Sequence, residues 1–357
     1  MIMTTYRRRA FRHIVGALLS LPLACAAPGP HGRAQAGEDK QRCQLLHVGT
    51  FSLTMDSNMP LLDVSVNGHD GYLMMDTGAA YGMITKPAAQ RLELRPRLVP
   101  GLHMEGVGGL INVQEARIDD LRLGDWTVHH MDFPVGSNHD LSDNQNIFGV
   151  LGENFLAKFD LDIDIAHNKV TLFQPRNCED TTLAYWGGDF NEVDMDRFSK
   201  DDPVITLNVV INGKEVRAIL DTGASTSILT ERAAARAGLT PESPGVKHAG
   251  KSSGVGDDEV DDYVGVFDTF RLGDEEIKHV RLRFGEMFGL SGLNPEMLLG
   301  LDFLRAHRMF ISHSQHKIYF SYVGGPVFQV MGPRLRRETP EPGAEDASKD
   351  AQADGKK

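Results

Sequence analysis

Apolar positions in this chain come in short runs, each closed by glycine, asparagine or aspartate. Val64-Ser65-Val66 alternates and stops at Asn67-Gly68; Val209-Val210-Ile211 stops at Asn212-Gly213. Alternation or a short apolar run ending in Asn-Gly predicts a β-strand entering a hairpin turn. Tyr72-Leu73-Met74-Met75 and Ala218-Ile219-Leu220 are unbroken apolar runs and predict buried strands. Each ends in the same four residues, Asp76-Thr77-Gly78-Ala79 and Asp221-Thr222-Gly223-Ala224. Glycine permits a tight turn there. A carboxylate at the end of a buried strand is costly unless its surroundings hold it. Just downstream, Thr85 and Thr230 stand as caps before Lys86-Pro87-Ala88-Ala89 and Glu231-Arg232-Ala233-Ala234, and predict short helices.

The pattern occurs twice. After each Asp-Thr-Gly-Ala come a glycine-rich stretch (Gly106-Val107-Gly108-Gly109; Gly254-Val255-Gly256) and an Arg-Leu-Gly (Arg122 to Gly124; Arg271 to Gly273). Then follow an apolar-apolar-Gly segment (Val150-Leu151-Gly152; Leu298-Leu299-Gly300) and a closing strand (Lys169 to Phe173; Lys317 to Phe320). The copies are offset by 145 positions at the aspartates and by 148 or 149 at the later features. Features in one order at a nearly constant offset make an internal duplication. Two aspartates in matched surroundings suggest a pair built to meet.

Asp-Thr-Gly-Ala after an apolar strand, followed by an apolar-apolar-Gly, resembles the aspartic proteases of the pepsin and retropepsin type. Covering about residues 44–325, the chain resembles a bacterial retropepsin-like protease with two tandem lobes in one chain. The resemblance implies an all-β, bilobal fold of two homologous barrel-like lobes with a cleft between them. It implies that Asp76 and Asp221 are the catalytic carboxylates of an endopeptidase, that Thr77 and Thr222 bond across the lobes beneath them, and that Gly78 and Gly223 turn backbone amides toward them. Gly106, Val107, Gly108 and Gly109, with Gly254, Val255 and Gly256, would be flap tips over a peptide. A pepsin-like flap has a tyrosine close by; none stands near Gly106–Gly109, and both lobes carry a glycine hairpin, which is nearer the retroviral pattern. With both half-sites in one chain, the enzyme is expected to act as a monomer on peptide or protein substrates, without metal or organic cofactor. The alternative from another class is a catalytically silent peptide-binding module on the same duplicated fold.

The ends of the chain read differently. Residues 1–36 form a signal segment: Arg7-Arg8-Arg9, an apolar run from Ile14 to Ala24, and Ala34-Gln35-Ala36 as a small-x-small cleavage site. The run is too short to span a bilayer. Arg8-Arg9-Ala10-Phe11 resembles a twin-arginine signal, and the general secretory route is equally open; Leu21 to Cys25 resembles a lipoprotein box except for Pro22, which leaves Cys25 either a lipid anchor or part of a discarded leader. The expected location is the periplasm, with no membrane span after export. The expected domains are an N-terminal lobe over 37–176, a connector over 177–202, a C-terminal lobe over 203–325 and a disordered tail over 326–357. The connector has no recognisable repeat counterpart; Tyr185, Trp186 and Phe190 are expected to pack at the lobe interface.

Charge and cysteines narrow the function further. Residues 1–36 hold five arginines and no acid, so the net charge of −12 becomes −17 without them. So acidic a chain argues against nucleic acid and anionic membranes as partners. Asp257, Asp258, Glu259, Asp261 and Asp262 read as a solvated acidic turn or as a preference for basic residues in the substrate. Cys43 and Cys178 bracket the first lobe and, in an oxidising compartment, are expected to form a disulfide. His129, His130, His139, His313 and His316 lack zinc-binding spacing, and there is no Gly-x-Ser-x-Gly or phosphate loop.

Overall fold

The structure is a computed structural model that describes residues 42–106, 109–196, 203–252, 259–286 and 295–328. The expected signal segment, Val107 and Gly108, Gly254 to Gly256, and the tail from 329 lie outside the described residues.

The N-terminal lobe runs through β1 (Gln44–Asp56), β2 (Met59–Val66), β3 (His69–Met75), β4 (Met83–Thr85), α1 (Lys86–Arg91), β5 (His103–Gly106), β6 (Gly109–Asn112), β7 (Gln114–Leu123) and β8 (Trp126–Gly136). It ends with β9 (Ile147–Leu151), α2 (Glu153–Leu156), β10 (Asp160–Asp164) and β11 (Lys169–Arg176). The segment β12 (Asn191–Asp194) follows. The C-terminal lobe repeats the order with β13 (Thr206–Ile211), β14 (Lys214–Leu220), β15 (Ile228–Thr230), α3 (Glu231–Arg236), β16 (Lys247–Ser252), β17 (Val260–Leu272) and β18 (Glu275–Gly285). Then come β19 (Met297–Leu299), α4 (Leu301–Leu304), β20 (His307–Ser312) and β21 (Lys317–Tyr322).

Each lobe closes on itself. In the first, β2-β3-β9-β4-β8-β7 is shut by pairing of β7 with β2; in the second, β13-β14-β19-β15-β18-β17 is shut by β17 with β13. Closure leaves no edge between these strands and encloses an apolar interior. Leu73, Met75, Ile84, Ile118 and Leu151 fill one barrel; Ala218, Leu220, Leu229, Phe267 and Leu299 fill the other. The predicted helices are present: Thr85 Oγ1 accepts from Ala88 N, and Thr230 Oγ1 accepts from Ala233 N. The fold is therefore all-β and bilobal, as the duplication implied.

A six-stranded sheet, β12-β21-β20-β10-β11-β1, joins the lobes, with β10 of one lobe paired antiparallel to β20 of the other. Here the structure adds to the sequence reading. β12 pairs with β21 as β1 pairs with β11, so the connector supplies the missing repeat of the first strand. Four residues with no long alternation were too few to show it. Next to it, Arg308 reaches across to the buried Asp162 at 2.6 Å and stacks over Trp186 and Tyr185, at 4.7 and 5.2 Å from their ring centres. Phe190 lies against Tyr319. Tyr185 and Trp186 do pack at the interface between lobes. The bond Cys43–Cys178 ties the start of β1 to the segment after β11, closing a loop 135 residues long. The packed chain continues to Phe328, which is buried against Phe270 and Phe303. No helix among the described residues is long and apolar enough to cross a membrane.

Candidate active site

Two equivalent pairs of parallel strands aim two carboxyl groups at one point. β3 runs parallel to β9 and β14 parallel to β19. At the ends of these pairs, Asp76 N donates to Leu151 O at 3.1 Å, and Asp221 N donates to Leu299 O at 3.0 Å. Past this point the chain must turn, because Gly152 and Gly300 abut the loops: a Cβ on either would lie 2.6 Å from Ala79 O or 2.7 Å from Ala224 O. That is the physical reason for the glycine in each apolar-apolar-Gly segment.

The carboxyl groups sit across the lobe boundary from one another. A Cβ on Gly78 would lie 2.3 Å from Asp221 Cγ, and one on Gly223 would lie 2.4 Å from Asp76 Oδ2. Each glycine is thus in face contact with the aspartate of the opposite lobe. Both aspartates are fully buried. Gly78 N donates to Asp76 Oδ1 at 2.9 Å; Gly223 N and Ala224 N donate to Asp221 Oδ1 at 2.8 and 3.0 Å. Burial first, and then the neighbouring Asp221 carboxyl, push the pKa of Asp76 well above the ordinary aspartate value.

Beneath the pair the threonines interlock. Thr77 N donates to Thr222 Oγ1 at 3.0 Å and Thr222 N to Thr77 Oγ1 at 3.1 Å, while Thr77 Oγ1 donates to Leu220 O and Thr222 Oγ1 to Met75 O, each at 2.7 Å. Four bonds cross the lobe boundary, and both hydroxyls act as donor and acceptor at once. The two Asp-Thr-Gly loops are therefore fixed to each other and not only to their own barrels.

The glycine hairpins are present as arms. β5 and β6 pair from His103–Asn112 to Gly106–Gly109, and β16 pairs with the start of β17. Of the expected tips, Gly106 and Gly109 are seen as the last paired residues of their hairpin, whereas Val107, Gly108, Gly254, Val255 and Gly256 lie outside the described residues. Asp262 belongs to neither reading of the acidic stretch, because it is fully buried and ion-paired with Arg283 at 3.2 Å. Among the described residues there is no group of three or more histidine, cysteine, aspartate or glutamate side chains arranged to hold a metal.

Other buried and half-buried polar residues went unread in the sequence. The loop after each Asp-Thr-Gly is pinned by the residue two places past the apolar-apolar-Gly: Asn154 Oδ1 accepts from Gly82 N at 2.9 Å, and Asp302 Oδ1 accepts from Ser227 N at 2.8 Å. Their place in the duplicated pattern was the available signal. Glu153 of the first lobe and His313 of the second are both buried and lie 3.1 Å apart. Burial raises the Glu153 pKa, and His313 opposes the rise. Burial works against the His313 imidazolium, but the Glu153 carboxylate, the Phe159 carbonyl and Asp160 together outweigh it and lift that pKa also.

No curated protein matches the chain. Among solved structures, it is similar to the crystal structure of a retropepsin-like aspartic protease from Rickettsia conorii. That match has 16% identity, covers 38% of this chain and 94% of the other, and has a TM-score of 0.27. The family assignment rests instead on sequence: residues 62–155 and, separately, residues 207–303 match the family described as aspartyl protease. Each match holds one Asp-Thr-Gly and its apolar-apolar-Gly partner, and together they span more than half of the chain, which therefore belongs to the aspartyl protease family, with two family units in one polypeptide.

Proposed function

We propose that the protein is an aspartic endopeptidase in which Asp76 and Asp221 act together on one water molecule. The observation that carries this reading is the mutual approach of the two carboxyl groups, each packed on the glycine beside the other. Two buried carboxyls so close do not both ionise cheaply and share one proton. The ionised member takes a proton from water as it attacks the peptide carbonyl; the protonated member donates to the carbonyl oxygen as the centre becomes tetrahedral. The roles belong to the pair, and its apparent pKa values are those of the pair. The raised pKa of Asp76 is consistent with holding the proton.

The substrate lies extended between the lobes, under the β5–β6 and β16–β17 hairpins, and bonds to their backbone as an added strand. The hairpins open to admit it and then exclude water. Since each lobe brings one carboxyl, one chain forms a complete site and works as a monomer. The disulfide supports an exported protein, because such bonds persist in oxidising compartments. That agrees with the leader-like residues 1–36 and a periplasmic location.

The test is cleavage of a diverse peptide library between about pH 3 and pH 7 by the wild type, Asp76→Asn and Asp221→Asn. Cleavage by the wild type that each substitution abolishes supports the reading. Peptide binding by a folded wild type without cleavage at any pH would favour the silent binding module instead.

A further inference from the structure

A groove of about 750 Å³ lies beside the β17–β18 turn of the C-terminal lobe. None of its lining belongs to the Asp-Thr-Gly loops or to the glycine hairpins, so it is separate from the site described above. Phe190, Ile277, Tyr322 and Val327 give it an apolar lining. Phe190 is 39% exposed, Tyr322 57%, and Val323, next in the chain, 41%. Single exposed apolar side chains are ordinary, but several gathered around one groove mark a surface that receives something.

The same groove is acidic. Asp189, Asp274, Glu275 and Glu276 line it against one cation, Lys278, which stands 4.0 Å from Glu276. Glu275 is taken up by the buried His307 at 3.1 Å. Among the described residues no ion pair engages Asp189 or Asp274. An occupant must therefore bring an apolar side chain and positive charge together.

The chain leaves this groove with a segment of that composition. Val327 is part of the lining, and Phe328 is anchored beside it: its N donates to Asp302 O at 3.0 Å, and its ring packs on Phe270 and Phe303. Gln329-Val330-Met331-Gly332-Pro333 carries no charge, and Arg334-Leu335-Arg336-Arg337 then places three cations and a leucine within four residues. Six residues separate Phe328 from Arg334, a tether of at most about 20 Å, and its Gly-Pro favours a turn. So short a tether holds the segment at high local concentration beside the groove.

We infer that the groove is the docking site of the chain's own residues 334–337, with Leu335 among Phe190, Ile277 and Tyr322 and the arginines on Asp189, Asp274 and Glu276. Arginine suits such a site because its planar head pairs with carboxylates and stacks on aromatic rings. Arg308 already does both in this fold, against Asp162, Tyr185 and Trp186. Docking straps the segment after Phe328 across the β17–β18 turn and covers the exposed rings. The inference rests on the groove and the charge pattern and is independent of the proposed peptidase activity.

The experiment is limited trypsin digestion of the full chain at low ionic strength, with cleavage after Arg334, Arg336 and Arg337 followed by mass spectrometry. Rates are taken relative to a free peptide of residues 329–342 in the same buffer. The comparison is the triple variant Asp189→Asn, Asp274→Asn, Glu276→Gln, which leaves the segment intact and adds no trypsin site. An arginine held in the groove is withheld from the protease, so the three bonds are expected to be cut about tenfold faster in the variant than in the wild type. Salt at about 0.5 M is expected to bring the wild type to the variant's rate. The wild-type rate is expected to stay constant over about a hundredfold dilution of the protein, as an intramolecular contact requires. Equal rates in wild type and variant at low salt overturn the inference. Protection lost on dilution also overturns it and assigns the groove to a second copy of the chain. Should the variant not fold, Leu335→Asp, outside the packed chain and normalised to its own free peptide, takes its place; the same acceleration is expected, and an unchanged rate overturns the inference.

Discussion

Adding one methyl group at Gly223 or Gly78 probes the closeness of the two carboxyls without removing either. An alanine at 223 places its Cβ 2.5 Å from Asp76 Cγ, and one at 78 places its Cβ 2.3 Å from Asp221 Cγ. Carbon atoms in ordinary contact stand about 3.5–4.0 Å apart, so one partner must retreat by about 1 Å or more. Neither carboxyl has slack, since both are buried and both are held by backbone amides. Overpacking of this kind costs about 1–3 kcal/mol of stability. A displacement of about 1 Å at a reacting group costs on the order of a hundredfold in rate. The assay is kcat/KM on a cleaved peptide, with thermal unfolding measured alongside. Each variant is expected to lose on the order of a hundredfold in kcat/KM while Tm falls by about 2–4 °C per kcal/mol. A Gly223→Ala enzyme within about threefold of wild type would refute the reasoning, since a carboxyl that tolerates the methyl is not held against the opposite loop.

Other expectations follow from the same contacts. Thr222→Ala removes its bond to Met75 O and the acceptor of Thr77 N, and should destabilise by about 2–4 kcal/mol in denaturant unfolding, with Thr222→Ser recovering most of it. Breaking Cys43–Cys178 by a double substitution to alanine should lower stability by up to about 5 kcal/mol in the chain-entropy account, read as a shift in the denaturation midpoint. Glu153 and His313 both have raised pKa values in the fold. The contribution of His313 is therefore complete below its ordinary value of about 6.5 and lost as pH rises through the folded value, and Glu153 changes stability in the same direction. Tm should decline from mildly acidic toward alkaline pH; Glu153→Leu, which copies Leu301 of the other lobe, should cost about 3 kcal/mol at the acid end and flatten the decline.

Much of the site was legible because its signals are local and occur twice. An apolar strand ending in Asp-Thr-Gly needs only a few adjacent residues to be read, and the second copy raised a common turn sequence to a matched pair. Gly152 and Gly300 were legible for the same reason, and the structure gives their cause in the carbonyls of Ala79 and Ala224. What escaped was whatever depends on distant partners or short elements. β12 has four residues, and its partner β21 lies far along the chain. Glu153 looked like any surface acid until His313 arrived from the other lobe. Asp262 stood in a run of acids that read as solvated, and only its partner Arg283 on the neighbouring strand explains its burial. Asn154 and Asp302 occupy matching places, but only the structure shows that each pins the loop after the Asp-Thr-Gly of its own lobe.

The central claim is that one chain holds a complete site made of one carboxyl from each lobe. The most direct test is to assay Asp76→Asn and Asp221→Asn separately and then mixed in equal amounts, at concentrations where the wild type cleaves. The account predicts that each variant is inactive and that the mixture stays inactive, because no single chain then holds both carboxyls. Activity in either variant alone would contradict the paired mechanism, and activity restored by mixing would show that the site forms between chains instead.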